Sequence, residues 1–192
     1  MMEIKTIAAT LGGNFDVVAT DGARALRELQ LSANAAVLDV GTGKGNFAIF
    51  LASQGLQVLT GEPSNDTSRY ARQDWIASAE KVGLRDRIRF EHFGADRMPF
   101  PEGSFDAVFF FGVLHHIEEA VRVEVLCEAL RVARKSGSVV FFEPRRAMLE
   151  RVWVDDPNHP LDADPSQYLR ETTVREQRLE GEFMDIFIFR KS

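Results

Sequence analysis

The segment 37–47, VLDVGTGKGNF, passes from an apolar strand pattern through three glycines into a helical pattern. The glycines stand at every second position, as Gly41, Gly43 and Gly45. Glycine tolerates a positive φ, so such a turn can bring backbone N–H groups and a helix N-terminus close to a ligand. The segment therefore predicts a strand–turn–helix unit whose turn binds a ligand, the alternative being a glycine turn that binds nothing.

The spacing of the glycines distinguishes between cofactor classes. The dinucleotide fingerprint G-x-G-x-x-G places its third glycine three residues after the second. Here Gly45 follows Gly43 by two residues, and Asn46 stands where a dinucleotide would require glycine. Asp39, two residues before Gly41, would repel a pyrophosphate and instead suits a ligand that carries an ammonium group. The loop therefore disfavours nicotinamide dinucleotides.

Outside this segment, short apolar runs alternate with amphipathic stretches. The patterns predict strands at 35–40, 56–61, 87–93, 105–112 and 138–142, and helices at 17–31, 66–82, 121–133 and 145–154. Such alternation implies right-handed crossovers and a parallel sheet covered by helices on both faces, which is an α/β fold. Two further strands within 172–191, around Glu180 and Gly181, predict a C-terminal antiparallel hairpin.

Length, composition and charge indicate a single globular domain. The chain has 192 residues, of which 45% are apolar and 27% charged, with a net charge of −6. Its basic residues are scattered, which disfavours a nucleic-acid partner. The longest apolar run, 107–114, is far shorter than the ~20 residues that cross a bilayer, and no targeting leader is recognisable, so no membrane association is expected. The single cysteine, Cys127, indicates a reducing compartment, by default the cytoplasm, and an oligomer is left open.

From 37 to 144 the chain resembles the class I S-adenosylmethionine-dependent methyltransferases, especially the small ones whose fourth-strand loop ends in Leu-His-His. The resemblance implies S-adenosylmethionine as cofactor and a Rossmann-like, seven-stranded, mostly parallel sheet. It makes 1–192 one methyltransferase domain, with the cofactor-binding core at about 35–144 and the hairpin at 172–191. It assigns the methionine part of the cofactor to the residues of the glycine segment, which are Asp39, Gly41, Gly43 and Gly45.

Two further segments of the resemblance concern the adenosine part of the cofactor. Glu62 closes the second strand, twenty-one residues after Gly41, where a carboxylate accepts hydrogen bonds from both ribose hydroxyls; the alternative is a solvated glutamate. Similar methyltransferases often carry an aspartate at the place of Gly94, which receives the adenine amino group, and this chain departs from that pattern. Ala95 could still offer its backbone N–H to the adenine ring, and Asp96, two places late, is a second candidate.

The loop at 109–117, FFFGVLHHI, leaves the fourth strand. The resemblance puts Gly112 beside the methionine part and turns His115 toward the acceptor, where an imidazole could remove a proton near neutral pH. The alternative for His115 is a structural ring that braces the loop. A metal site combining it with His116 and His159 is disfavoured, because two adjacent histidines rarely point at one ion, and no metal is expected.

These features predict S-adenosylmethionine-dependent methyl transfer to a small-molecule acceptor. No Asn-Pro-Pro-Tyr phrase follows the fourth strand, which disfavours the enzymes that methylate amino groups of nucleic acids and glutamine. The alternatives are a non-catalytic S-adenosylmethionine-binding protein and, after it, a nicotinamide-dependent oxidoreductase. Segment 145–169 is expected to be either a lid over the acceptor pocket or a surface connection that does not contact the site.

Overall fold

The computed structural model describes residues 3–71, 73–170 and 173–192. Along these residues, α-helices and strands follow one another in the order α1 (Ile4–Leu11), α2 (Phe15–Leu29), β1 (Ala36–Val40), α3 (Asn46–Ser53), β2 (Gln57–Glu62), α4 (Trp75–Lys81), β3 (Ile88–His92), β4 (Phe105–Phe111), α5 (Arg122–Val132), β5 (Ala133–Pro144), α6 (Arg146–Asp155), β6 (Val174–Glu180) and β7 (Met184–Lys191).

The strands form one seven-stranded sheet in the order β3-β2-β1-β4-β5-β7-β6. Neighbouring strands from β3 to β5 run parallel, whereas β7 is antiparallel to both β5 and β6. The mostly parallel sheet with a C-terminal antiparallel hairpin is therefore confirmed. The strand order reverses direction between β1 and β4, and open α/β sheets bind ligands outside the carboxyl ends of the strands at such a switch point.

The central strands are buried on both faces of the sheet. In β4, Phe109 packs in the apolar cluster that contains α2 and α3, and Phe110 packs in the opposite cluster, which contains α5. Phe110 also stacks on Phe141 of β5 with ring centroids 4.3 Å apart. Burial on both sides explains why these strands read as apolar throughout rather than as an alternating pattern.

A buried carboxylate holds the C-terminal hairpin against the sheet. Asp21 of α2 is 1% exposed and accepts hydrogen bonds from the backbone N–H groups of Glu182, Phe183 and Met184 at 2.7, 2.9 and 2.8 Å. Three charge-assisted bonds to one side chain satisfy the backbone of the β6–β7 turn. The hairpin is thereby fixed to the N-terminal part of the chain, and β7 lies against β5.

The helix predicted at 66–82 is wrong over its first half. The structure begins α4 at Trp75, with the side chain of Asp74 as its N-cap. Before it, the carboxylate of Asp66 accepts the backbone N–H two residues ahead at 2.8 Å. Such local bonds compete with the helical ladder, so the stretch forms a loop instead. Arg72, within this predicted helix, lies outside the described residues.

Some other boundaries also differ from the sequence pattern. The pattern did not predict α1, and β5 begins at Ala133 rather than at 138. The hairpin was predicted from Thr172, which lies outside the described residues, and β6 begins at Val174. No helix among the described residues combines the length and the apolar character that a bilayer span needs.

Candidate active site

A cavity of about 510 Å³ opens at the carboxyl ends of β1, β2 and β4, which is the place that the strand order predicts. Its wall includes the glycine loop after β1, the end of β2, residues 93–96, residues 111–113 and the loop at 68–71. The tertiary structure therefore brings the separate sequence motifs to one cavity.

The glycine loop is left-handed at all three glycines. The φ angles are +90° at Gly41, +48° at Gly43 and +76° at Gly45, a region that side-chain-bearing residues rarely adopt. A Cβ on Gly41 would lie 2.6 Å from the side chain of Val113, and one on Gly45 would lie 2.9 Å from Cβ of Trp75. Gly41 and Gly43 line the cavity, whereas Gly45 does not and packs against α4. The geometry thus gives Gly45 a packing role, away from the cavity surface.

Asp39 lies one layer behind the glycine loop. It is 1% exposed, and its Oδ2 accepts a hydrogen bond from the hydroxyl of Thr60 at 2.8 Å. The Thr60 hydroxyl is in turn 2.9 Å from that of Thr42, which lines the cavity. The other carboxylate oxygen, Oδ1, has no hydrogen-bond partner among the described residues. Burial raises the pKa of Asp39 to about 7, although the Thr60 hydrogen bond acts in the opposite direction.

Glu62 stands at the end of β2 on the cavity wall. It is 8% exposed, and its Oε2 accepts the backbone N–H of Gly43 at 3.2 Å. This contact joins the end of β2 to the glycine loop. A carboxylate held in this way faces the cavity with its position fixed, as the sequence interpretation requires of a ribose-binding group.

The segment 94–96 also lies on the wall, and within it the side chain of Asp96 lies close to Gly94. Gly94, Ala95 and Asp96 all line the cavity. A Cβ built on Gly94 would lie 2.7 Å from Oδ1 of Asp96. The carboxylate of Asp96 is therefore folded back over Gly94, into the space that a side chain at position 94 would occupy.

The loop after β4 gives its two histidines different surroundings, although their rings lie side by side with centroids 4.3 Å apart. Residues Leu114–His116 form a short 3-10 helix. His116 lines the cavity together with Gly112, but the His115 side chain is 2% exposed and lies 2.7 Å, Nδ1 to Oε2, from Glu143 at the end of β5. The structure thus places His115 behind the wall, which favours its bracing alternative over direct contact with an acceptor.

The sequence motifs did not identify Tyr70, which comes from the loop that replaces the predicted helix. Its ring lines the cavity 4.8 Å from the ring of His116, and its hydroxyl donates a hydrogen bond to Oδ2 of Asp156 at 2.5 Å. Burial and the Asp156 carboxylate raise the pKa of Tyr70 to about 12. Burial and the nearby rings of His115 and His159 lower the pKa of His116 to about 3. The Tyr70 hydroxyl and the His116 ring are therefore both uncharged at neutral pH.

Segment 145–169 supports the cavity from outside. Among the described residues, none of its side chains lines the cavity. Asp156 bonds Tyr70, and the ring of His159 packs against Tyr70 and His116 with centroids 5.8 and 4.9 Å away. Whether the segment acts as a lid stays a prediction, since its contacts reach the cavity only through wall residues.

Comparison with known proteins identifies the class of this fold and site. The family model described as a methyltransferase domain matches residues 38–141, which is more than half of the chain. The chain belongs to this family of methyltransferase domains.

Individual relatives agree with the family assignment. Over 109 residues, 57% of this chain, it is 34% identical to 27-O-demethylrifamycin SV methyltransferase of Amycolatopsis mediterranei, of which it covers 38%. Over 135 residues, 67% of this chain, it is 29% identical to the ubiquinone/menaquinone biosynthesis C-methyltransferase UbiE of Geobacter sulfurreducens, of which it covers 50%. The chain thus spans half or less of the length of these two relatives.

A solved structure shares the fold over nearly the whole chain. A proposed S-adenosyl-L-methionine-dependent methyltransferase of Methanococcus maripaludis superimposes with a TM-score of 0.70 at 16% identity, covering 97% of this chain and 90% of that one. The Rossmann-like methyltransferase fold expected from the resemblance is confirmed.

S-adenosylmethionine is the cofactor that this family and fold imply, and the residues of the cavity fit it. The glycines at 41 and 43 keep side chains out of the cavity beside the loop. The buried Oδ1 of Asp39, without a partner among the described residues, is a site of negative potential behind that loop, which suits an ammonium group. The carboxylate of Glu62 at the end of β2 suits a pair of ribose hydroxyls.

Proposed function

We propose that this chain transfers a methyl group from S-adenosylmethionine to a small-molecule acceptor. The observation that carries the proposal is that one cavity contains the glycine loop, Glu62 and the rings of Tyr70 and His116. The glycine loop and Glu62 would hold the cofactor, and the two rings would lie beside the acceptor.

Apolar side chains in the cavity lining, among them Ile117, Val121 and Val125, support an acceptor with an apolar body. The whole cavity, which would hold the cofactor and the acceptor together, has a volume of about 510 Å³, within the range of pockets that hold small molecules. Two relatives bear names that refer to rifamycin and to ubiquinone/menaquinone biosynthesis, which are names of small molecules rather than of proteins or nucleic acids.

The bound cofactor would supply an electrophilic methyl group on a sulfonium, so the chain's own residues have mainly to orient and enclose the reactants. Glu62 and the glycine loop would fix the cofactor. Tyr70, held by Asp156, and His116 would bound the space in which the acceptor approaches. In this proposal His115 is a positioning residue that acts through the shape of the loop. The lone Cys127 keeps the cytoplasm as the proposed compartment.

Calorimetry with S-adenosylhomocysteine and with NAD⁺ tests the cofactor class. We expect S-adenosylhomocysteine to bind and to raise the melting temperature, because it binds only the folded state, and we expect NAD⁺ to do neither. The opposite preference would contradict the proposal.

Transfer itself is tested with S-adenosylmethionine carrying a labelled methyl group and a panel of phenolic, quinol and macrolide acceptors. Labelled product and an equal amount of S-adenosylhomocysteine are expected for at least one acceptor. Tight cofactor binding without transfer to any member of the panel or to a bacterial metabolite extract would instead favour a non-catalytic binding protein.

A further inference from the structure

Three histidine side chains from two distant segments meet beside the cavity. His115 and His116 belong to the 3-10 helix after β4, and His159 belongs to the segment after α6. One ring nitrogen of each lies within 4.8 Å of the others. The ring centroids are 4.3 Å apart for the adjacent pair, and His159 lies 5.1 and 4.9 Å from them.

Two of the three rings are oriented by acceptors that fix their tautomer. Nδ1 of His115 lies 2.7 Å from Oε2 of Glu143, and Nδ1 of His159 lies 2.9 Å from the backbone carbonyl of Pro160. A carboxylate and a carbonyl accept hydrogen bonds, so each Nδ1 carries the proton and each Nε2 keeps its lone pair. Histidines that bind metals almost always show this arrangement, with one nitrogen donating to a carboxylate or carbonyl and the other facing the ion.

The third ring is free of competing hydrogen bonds. His116 makes no side-chain hydrogen bond to another described residue, and its nearest ring neighbours are the other two histidines and Tyr70. Three imidazoles that share one small space are the donor set of an imidazole-bound transition metal.

The distances between the ring nitrogens are longer than those around a bound metal ion, so the three rings would have to move closer together. Zn–N bonds of about 2.0–2.1 Å in a tetrahedron place ligand nitrogens about 3.3–3.4 Å apart. The rings would therefore move closer than the 4.8 Å limit observed, by up to about 1.5 Å. His159 is half-buried in a segment without regular secondary structure, so most of this movement would fall to that segment.

We propose that His115, His116 and His159 bind one divalent first-row transition-metal ion, with Zn²⁺ as the preferred ion. Three protein ligands leave a fourth coordination position open, as in catalytic zinc sites. Because His116 lines the cavity, that position would face the cavity and take water or an oxygen atom of the acceptor. The binding of the ion does not depend on the proposed function, but a role at the acceptor does.

The test is titration of the 192-residue chain, without a histidine tag, with Zn²⁺ by calorimetry and with Co²⁺ by visible absorption. We expect one ion per chain and the ligand-field bands of four-coordinate Co²⁺. His159→Ala and His116→Ala should each weaken the affinity at least tenfold, because even losing an outer partner of a metal ligand weakens binding 10- to 100-fold. His92→Gln is the matched control, since it removes the remaining histidine, which is exposed on β3, and it should leave the affinity unchanged.

S-adenosylhomocysteine binding is measured on the same samples without metal. A variant that still binds it is folded, so weaker metal binding in that variant is then due to the lost ligand. Wild-type protein that binds S-adenosylhomocysteine but no Zn²⁺ at millimolar free metal would overturn the metal site and leave the proposed function intact. Equal Zn²⁺ affinities of the wild type and the His116→Ala/His159→Ala double variant would also overturn it.

Discussion

Nδ1 of His115 lies 2.7 Å from Oε2 of Glu143, and both side chains are 2% exposed. The same carboxylate accepts the backbone N–H of Leu114 at 3.2 Å and that of Ala163 at 3.1 Å. A single residue at the end of β5 thus joins the loop after β4 to the segment after α6. The wall of the cavity beside His116 depends on this junction.

Removing the Glu143 carboxylate should destabilise the protein. Glu143→Ala leaves two backbone N–H groups and one imidazole without a buried acceptor, which should lower the free energy of unfolding by about 2–4 kcal/mol. Urea denaturation measures the change. Glu150→Ala on α6, where the side chain is 59% exposed, is the control and should change the free energy by less than about 0.5 kcal/mol. Similar losses in both variants would contradict the importance of the junction.

Replacing Glu62 should weaken cofactor binding. Glu62→Ala removes a carboxylate that would accept hydrogen bonds from two ribose hydroxyls, so the dissociation constant for S-adenosylhomocysteine should rise about tenfold or more. Glu91→Ala on the neighbouring strand β3, with a side chain 39% exposed, serves as control in the same calorimetric titration. An unchanged dissociation constant in Glu62→Ala would show that Glu62 is a solvated glutamate that does not bind the cofactor.

We expect the carboxylate of Asp96 to bind the adenine of the cofactor, as the aspartate at the place of Gly94 does in similar methyltransferases. The Asp96 carboxylate already lies 2.7 Å from the position of a Cβ on Gly94. Asp96→Ala should therefore weaken S-adenosylhomocysteine binding several-fold, and the double variant Gly94→Asp/Asp96→Ala should restore it. Asp86→Ala, at an exposed position before β3, should have no effect. Failure of the double variant to recover affinity would assign Asp96 a role other than adenine recognition.

Asp39→Asn should weaken ligand binding without lowering the stability of the protein at neutral to alkaline pH. Burial raises the pKa of Asp39 to about 7 from its ordinary value of 3.8, so the folded state retains a proton that the unfolded state releases in this interval. Wild-type stability should then fall relative to the variant as pH rises from about 4 to about 7, and the difference should be constant above that.

Urea denaturation of Asp39→Asn and the wild type at several pH values measures this difference, and titration with S-adenosylhomocysteine at pH 8 completes the test. The variant should be at least as stable as the wild type at pH 8 and yet bind S-adenosylhomocysteine more weakly, because the negative charge is gone. A stability difference independent of pH would show that Asp39 does not titrate in this interval.

Hydrogen exchange should decide whether segment 145–169 is a lid. Its contacts with Tyr70 and His116 lead us to expect slower exchange in this segment when S-adenosylhomocysteine and an acceptor are bound. Protection confined to the glycine loop at 41–45 would show that the segment is only a surface connection.

The sequence by itself determined the fold class and indicated residues that line the cavity at the ends of β1 and β2. The features that the sequence shows are local: the periodicity of strands and helices, the glycine spacing and the position of Glu62. Local backbone preferences are enough to produce them in the fold. Glycines at 41, 43 and 45 adopt the positive φ angles that their turn requires, and the apolar fourth and fifth strands lie in the centre of the sheet. The helix that the sequence pattern predicted at 66–74 is wrong, because side-chain hydrogen bonds to the backbone there compete with helix formation.

Only the tertiary structure decided the part of the cavity wall that Tyr70 and His116 form. The adjacent histidines of the motif look equivalent in the sequence, but in the fold Nδ1 of His115 meets Glu143 while His116 lines the cavity. Tyr70 and His159 carry no motif, and they reach His116 across more than 40 positions of the chain because packing of the loop at 68–71 and of the segment after α6 brings them together. Contacts between distant segments depend on the assembled sheet, and no local pattern encodes them.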